Sequence, residues 1–133
     1  MDNVAMDLAG VQRWLDAYIA AWRSYDRDAI TALFSPDVDY RPNPYAKPLR
    51  GPQAVAQAWI EENDPPDTWS ADYRAVAVNG DLGVGRGVTR YRARDGRPER
   101  EYANVFLVRF DPEGRCREYV EWFVKRPENS PAA

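Results

Sequence analysis

Near Trp69 the hydrophobic period of this sequence changes from about three and a half residues to two. Before that point Leu8, Val11, Leu15, Tyr18, Ile19 and Trp22 recur at helical spacing, with Gln12, Arg13, Asp16 and Arg23 between them. That pattern predicts an amphipathic helix over 7–25 with a bulky, aromatic buried side. Asp26 is placed to cap a short second helix carrying Ile30, Leu33 and Phe34, which Ser35-Pro36-Asp37 ends. Val38 to Arg41 reads as a short strand, followed by a proline-bearing loop over 42–48. Gly51-Pro52 sets a proline in the first turn of a third helix with Val55, Ala58 and Trp59, which stops before Pro65-Pro66. After Trp69 strands are expected over 70–78, 82–93, 99–110 and 115–125. They are separated by Asn79-Gly80-Asp81, Arg94-Asp95-Gly96 and Asp111-Pro112-Glu113-Gly114, all turn chemistry. Three helices and a short strand followed by four long strands predict an α+β domain, one curved antiparallel sheet with helices on one face.

The 133 residues fit one domain, read here as 1–126 with a tail at 127–133. There is no histidine, which removes Ser-His-Asp and Cys-His machinery, His-ligated zinc and a histidine base. The single cysteine, Cys116, excludes intrachain disulfides and Cys-rich metal sites and reads as structural. No metal and no cofactor are expected. No apolar run approaches the ~20 residues of a membrane span, and Met1 to Gly10 lacks a signal pattern. The expectation is a soluble cytoplasmic protein with no membrane partner.

Charge is uneven: residues 1–85 hold 7 basic and 13 acidic side chains, and residues 86–126 hold 11 basic and 7 acidic. A basic sheet is one signature of nucleic-acid binding. Arg86, Arg90, Arg92 and Arg94 share one parity, however, as a solvated strand face does, and no nucleic-acid partner is expected. The opposite parity then turns Gly83, Gly85, Gly87, Thr89 and Tyr91 towards the helices, and three alternating glycines mean either a bend or room for a ligand. On the next strand Tyr102, Asn104, Phe106 and Val108 share that inner side, and on the last Tyr119, Glu121 and Phe123 do. The outer sides carry Val105, Leu107, Val120, Trp122 and Val124. Apolar residues on both faces point to a covered outer face, most simply a homodimer through the sheet.

In this order of elements the chain resembles the nuclear transport factor 2-like superfamily, in particular SnoaL-like and ketosteroid-isomerase-like small proteins. The carriers are residues 14–22, 25–38, 49–55 and 115–122, from Trp14-Leu15-Asp16 through Tyr25-Asp26-Arg27 and Leu49-Arg50-Gly51-Pro52 to Tyr119-Val120-Glu121-Trp122. The resemblance implies a cone-shaped, cystatin-like sheet wrapped around three N-terminal helices, with a pocket between them and frequent dimerisation. It places Tyr18 where ketosteroid isomerases carry an oxyanion-hole tyrosine. Pro42 and Phe106 stand where those enzymes carry their two acids. The Arg-x-Asp pair of limonene-epoxide-hydrolase-like enzymes is matched only by Arg109-Phe110-Asp111, at a turn. Glu121-Trp122 matches the position of the catalytic aspartate of SnoaL-like polyketide cyclases, whose partner histidine is absent here, with Asn104 the nearest polar residue.

These readings converge on Glu121 as general base, with Tyr18 or Asn104 donating to a developing enolate. The competing reading of Glu121 is a salt bridge to an arginine such as Arg117. Trp22, Tyr40, Trp59, Tyr102, Phe106, Tyr119 and Phe123 are the expected lining for a flat hydrophobic or aromatic ligand, with Tyr45 and Trp69 at the mouth; each aromatic is equally a packed core residue. Three functions stay open: a cofactor-independent isomerase or cyclase-type enzyme acting on a small hydrophobic carbonyl compound, a ligand-binding protein without chemistry, and a dimeric interaction module.

Overall fold

A computed structural model describes residues 6–128 of the chain; the expected domain's first five residues and most of its tail, from 129 on, lie outside the described residues. Helix α1 (Leu8–Ser24) is capped by the Asp7 carboxylate, which accepts from the Gly10 amide at 2.7 Å. It buries Val11, Trp14, Leu15, Tyr18 and Ala21, one stripe at three- and four-residue spacing. Tyr25 ends it in the left-handed region (φ 51°), which turns the chain into the Asp26 cap of helix α2 (Arg27–Thr31).

Strand β1 (Phe34–Arg41) begins four residues earlier than Val38, where the sequence pattern starts it. Phe34 and Ser35 are buried and the Cys116 amide donates to the Leu33 carbonyl at 2.8 Å, so pairing with the last strand extends β1 back through Pro36. A two-residue strand β2 (Leu49–Arg50) pairs with β1, helix α3 (Pro52–Glu61) follows, and a single 3₁₀ turn (Pro66–Thr68) leads into the sheet proper. Strands β3 (Trp69–Asn79), β4 (Leu82–Tyr91), β5 (Arg100–Phe110) and β6 (Cys116–Lys125) form an antiparallel meander. The six strands lie in the order β2-β1-β6-β5-β4-β3. The β1–β6 pairing is parallel, so the sheet is mixed rather than wholly antiparallel as the pattern predicted. Register shifts between Ala75 and Ala77, between Arg109 and Phe110, and between Phe34 and Asp39 mark where strands bend into the curved α+β architecture.

The alternating glycines of β4 are explained by close approach. A Cβ on Gly83 would stand 2.8 Å from Val11 Cγ2, and one on Gly85 would stand 2.9 Å from Leu15 Cδ1. A Cβ on Gly87 would collide with the Asp72 carbonyl and the Tyr73 ring of the neighbouring strand. These glycines seat α1 and β3 against β4 and leave no ligand space there. The open end of the fold lies further along, beyond Thr89.

Candidate functional site

At that end a cavity of about 950 Å³ opens between the sheet and helices α1 and α3. Its inner wall is made by Tyr18, Tyr73, Thr89, Asn104 and Glu121, its middle by the aromatic groups of Trp22, Trp59, Tyr91, Tyr102 and Phe123. The mouth is charged: Glu61, Glu62 and Asp64 at the end of α3 and just beyond it, with Arg92, Arg94, Arg97 and Arg100 on the β4–β5 hairpin. Arg92 and Arg94 do not continue the solvated face of Arg86 and Arg90, because β4 ends at Tyr91 and strand parity ends with it.

Glu121 sits at the meeting point of two hydrogen-bonded arms. Its Oε1 accepts from the Tyr119 hydroxyl at 2.7 Å and its Oε2 from Asn104 Nδ2 at 2.8 Å. Behind Tyr119, the Tyr18 hydroxyl lies at 3.2 Å, and the Tyr40 hydroxyl lies 2.8 Å beyond it. Behind Asn104, its Oδ1 accepts from Thr89 Oγ1 at 2.9 Å, and Tyr73 Oη lies 2.6 Å from Thr89. With Glu121 ionised, the one proton of Tyr119 points to the carboxylate, so Tyr18 donates to Tyr119 and Tyr40 donates to Tyr18. The carboxylate is thus the terminal acceptor of both arms.

Burial holds all four phenols of these arms well above the ordinary tyrosine range, with the Glu121 charge adding to the rise, so they stay protonated donors. Glu121 is pushed up to about 7 by burial, which outweighs the hydrogen bonds from Tyr119 and Asn104 that favour the charged form. The alternative Arg117 partner is engaged elsewhere, donating to Asp81 at 2.7 Å. Arg109 also pairs with Asp81, at 2.9 Å, and Asp111 with Arg115, at 3.0 Å, so the Arg-x-Asp element lies outside the cavity. Asp64, at the mouth, is likewise raised by its burial, against the pull of Arg100 and Arg94. Cys116 is fully buried and its thiol is pushed up by burial, in keeping with a structural role. Among the described residues no three His, Cys, Asp or Glu side chains come together as a metal-binding set. Nor is any described helix long and apolar enough to cross a membrane.

Of the residues singled out from the sequence, Glu121, Tyr18, Asn104, Trp22, Trp59, Tyr102 and Phe123 line the cavity. Tyr40, Phe106 and Tyr119 do not: they are packed in the core behind its wall, with the Tyr40 and Tyr119 rings stacked at 4.4 Å and Phe106 against Tyr73 at 4.6 Å. Inward parity places a side chain below the sheet, and the distance along the strand then decides between core and cavity; parity carries only the first. Trp69 is buried too, stacked on Trp22 at 3.6 Å, and Tyr45 is solvent-exposed away from the lining. Sequence reading missed Tyr73 and gave Thr89 only a side of its strand, although Thr89 shares the face that carries Asn104 in register with Gly87 next door.

A model of the SnoaL-like domain family matches residues 15–119. Among solved structures, the chain is similar to an LEH-like epoxide hydrolase of M. tuberculosis (15% identity, TM-score 0.66, covering 88% of this chain and 84% of that one). It is similar to SalBIII, an epoxide hydrolase/cyclase-like enzyme of pyran ring formation in the polyether salinomycin (13% identity, TM-score 0.70, 85% and 89% covered). It is also similar to a cystatin-like-fold protein of unknown function from Methylobium petroleophilum PM1 (16% identity, TM-score 0.69, 98% and 82% covered). At these identities the structural likeness establishes the fold and leaves the chemistry to the site. No curated protein sequence matches the chain.

The raised Glu121 carboxyl has a consequence for stability. Between the ordinary value near 4.5 and about 7 the folded chain binds more protons at this position than the unfolded chain does. Stability therefore falls as pH rises through that window, by roughly 2–3 kcal/mol when the carboxylate's access to the open cavity is allowed for. Glu121→Gln mimics the protonated acid, accepting from Asn104 and donating to Tyr119. Urea unfolding at pH 5 and pH 8 is expected to show the variant gaining roughly 2–3 kcal/mol relative to the parent between the two. Parallel pH profiles would contradict the burial of a titrating carboxyl here.

Proposed function

Because this chain belongs to the SnoaL-like domain family, we propose that its cavity carries out cofactor-independent acid/base chemistry on a small, flat carbonyl compound, of isomerase or cyclase type, with Glu121 as general base. The observation that carries the reading is a carboxylate raised to about 7 inside a cavity, held by neutral donors and by no arginine. A base with that value is half ionised near neutrality and retains proton affinity, the compromise general-base catalysis requires. The aromatic middle of the cavity favours a planar apolar body, and the charged mouth faces its outer end.

The step itself is a proton abstraction. A C–H bond α to the carbonyl breaks, its electron pair passes to the carbonyl oxygen as an enolate, and the proton goes to Glu121. Once Glu121 holds that proton on Oε1 it donates to Tyr119, Tyr119 turns its own proton to Tyr18, and Tyr18, which then accepts from both Tyr119 and Tyr40, no longer spends its proton on Tyr119. Tyr18 lines the cavity and is then free to donate to the enolate oxygen. Uptake of the proton and stabilisation of the anion are coupled through two phenols.

The outer face supports a second element of the proposal, pairing with another copy of the chain. Val105 and Trp122 are each 43% exposed and opposite one another, and Val124, 68% exposed, stands opposite Ala103, so the apolar surface is continuous across β5 and β6.

The chemistry is tested by α-proton exchange of 2-tetralone, a planar aromatic ketone, in D2O followed by NMR. The parent protein is expected to accelerate exchange with a rate rising from pH 5 to a plateau above about pH 8, and Glu121→Gln to lose about 10²–10⁴-fold. Exchange unaltered in the variant would overturn the mechanism. For the outer face, sedimentation velocity at micromolar concentration is expected to give a dimer for the parent and a monomer for Trp122→Glu; a monomeric parent contradicts the pairing.

A further inference from the structure

One hydroxyl of the cavity has its direction fixed by partners that cannot reverse. Tyr25, the left-handed residue that ends α1, lines the cavity together with Trp22 and Asp64. Its oxygen accepts from Trp22 Nε1 at 2.9 Å and from the Asp64 amide at 2.7 Å. An indole N–H and a backbone N–H donate and never accept. Both lone pairs of the phenol are therefore occupied, and its own hydrogen takes the remaining direction. Among the described residues no group accepts that hydrogen. The two donors are themselves held. The Trp22 ring stacks on Trp69 at 3.6 Å, and Trp69 Nε1 donates to the Asp64 carbonyl at 3.3 Å, so Asp64 is fixed at its amide and its carbonyl alike.

We infer that Tyr25 is a specificity-determining residue whose free O–H binds a second, neutral oxygen of the ligand, at the end away from Glu121. The compound class is then a planar carbonyl compound with an oxygen acceptor remote from the reacting carbonyl, which deepens the proposed function and rests on it. The place follows from the partners: Trp22 belongs to the aromatic middle of the cavity, Asp64 to its mouth, and Tyr25 joins the two. Tyr18 and Glu121 form the inner wall, so a flat molecule seated among the aromatic groups presents its carbonyl to them and its far edge to Tyr25. Burial raises the Tyr25 phenol above the ordinary tyrosine range and keeps it a protonated donor. The charges that add to the rise are the acids Asp64 and Glu62. They oppose a carboxylate at this hydroxyl and leave a ketone, ester or ether oxygen able to accept. The mouth arginines Arg94, Arg97 and Arg100 act on Asp64, and Arg94 is also paired with Asp95 at 3.1 Å. The Tyr91 hydroxyl lines the cavity as well, but no bond among the described residues sets its direction, so it gives no preference for an acceptor over a donor.

The test is isothermal titration with two planar mimics of the 2-tetralone enol, 6-acetyl-2-naphthol and 6-isopropenyl-2-naphthol. The two match in shape, and only the acetyl group carries an oxygen acceptor at the far end. The parent protein is expected to bind the acetyl compound about threefold to tenfold more tightly, and Tyr25→Phe to abolish that preference. Tyr25→Phe also strands the Trp22 and Asp64 N–H groups, and a purely structural loss of that kind weakens both compounds alike. The preference within the pair is therefore the readout. Tyr91→Phe is expected to keep the preference, and 6-hydroxy-2-naphthoate, with a carboxylate at the same place, to bind more weakly than the acetyl compound. Equal binding of the pair by the parent, a preference that survives Tyr25→Phe, or one lost in Tyr91→Phe overturns the subsite. Tighter binding of the naphthoate overturns its neutrality. Should Tyr25→Phe fail to fold, the parent and Tyr91→Phe comparisons still decide. If no compound binds and 2-tetralone exchange is not accelerated, the base reading falls and the subsite with it. Accelerated exchange without a preference for the acetyl compound overturns the subsite alone.

Discussion

The carboxylate of Glu121, taken into the protein without a cation, is the constraint around which the rest of the site is organised. A buried charge of this kind persists only when donors replace the water it has lost. Here Tyr119 and Asn104 do so directly, and Tyr18, Tyr40, Thr89 and Tyr73 stand behind them. Helix α1 and strands β1, β3, β4, β5 and β6 contribute one or two members each. The curvature of the sheet and the close seating of α1 on Gly83 and Gly85 bring those members to one place.

The donors are chosen as well as placed. An arginine beside Glu121 would lower its proton affinity and make it a structural ion. Neutral phenols and an amide satisfy the carboxylate while leaving desolvation dominant, which is why it is raised to about 7. The cost is borne by stability above neutral pH. Arg109 and Arg117 are held on Asp81 and do not line the cavity, and the arginines that do line it stand at its mouth.

Much of the fold was legible in residue order. The change of period at Trp69, the Asp7 and Asp26 caps, the Pro52 start of α3 and the turn residues locate the elements to within a few positions, because each is decided by local chemistry. The parallel β1–β6 pairing and the early start of β1 were not legible, since both follow from a contact between residues some eighty positions apart. In the site, alternation along β5 and β6 and the family resemblance together single out Glu121, Asn104 and Tyr18. The same alternation places Phe106 and Tyr119 in the cavity, where Tyr40 was expected as well, and all three are core: pattern gives a side chain's face, whereas depth depends on what α1 covers. The polar arm through Thr89 and Tyr73 joins side chains on neighbouring strands whose register only pairing fixes, so it leaves no mark in any one segment.

Histidine is absent from the chain, and the proposed proton chemistry rests instead on one acid tuned by burial, with a hydroxyl arm on one side of it and an amide on the other. The most direct test is a neutron crystal structure collected at a pD well above 7, where hydrogen positions are seen rather than inferred. The account predicts deuterium on Tyr119 directed at Glu121 Oε1, the Asn104 amide deuterons directed at Oε2, the Thr89 deuteron directed at Asn104, and no deuterium on the carboxylate. A deuterated Glu121, or an Asn104 carbonyl turned towards it, would contradict the account at its centre.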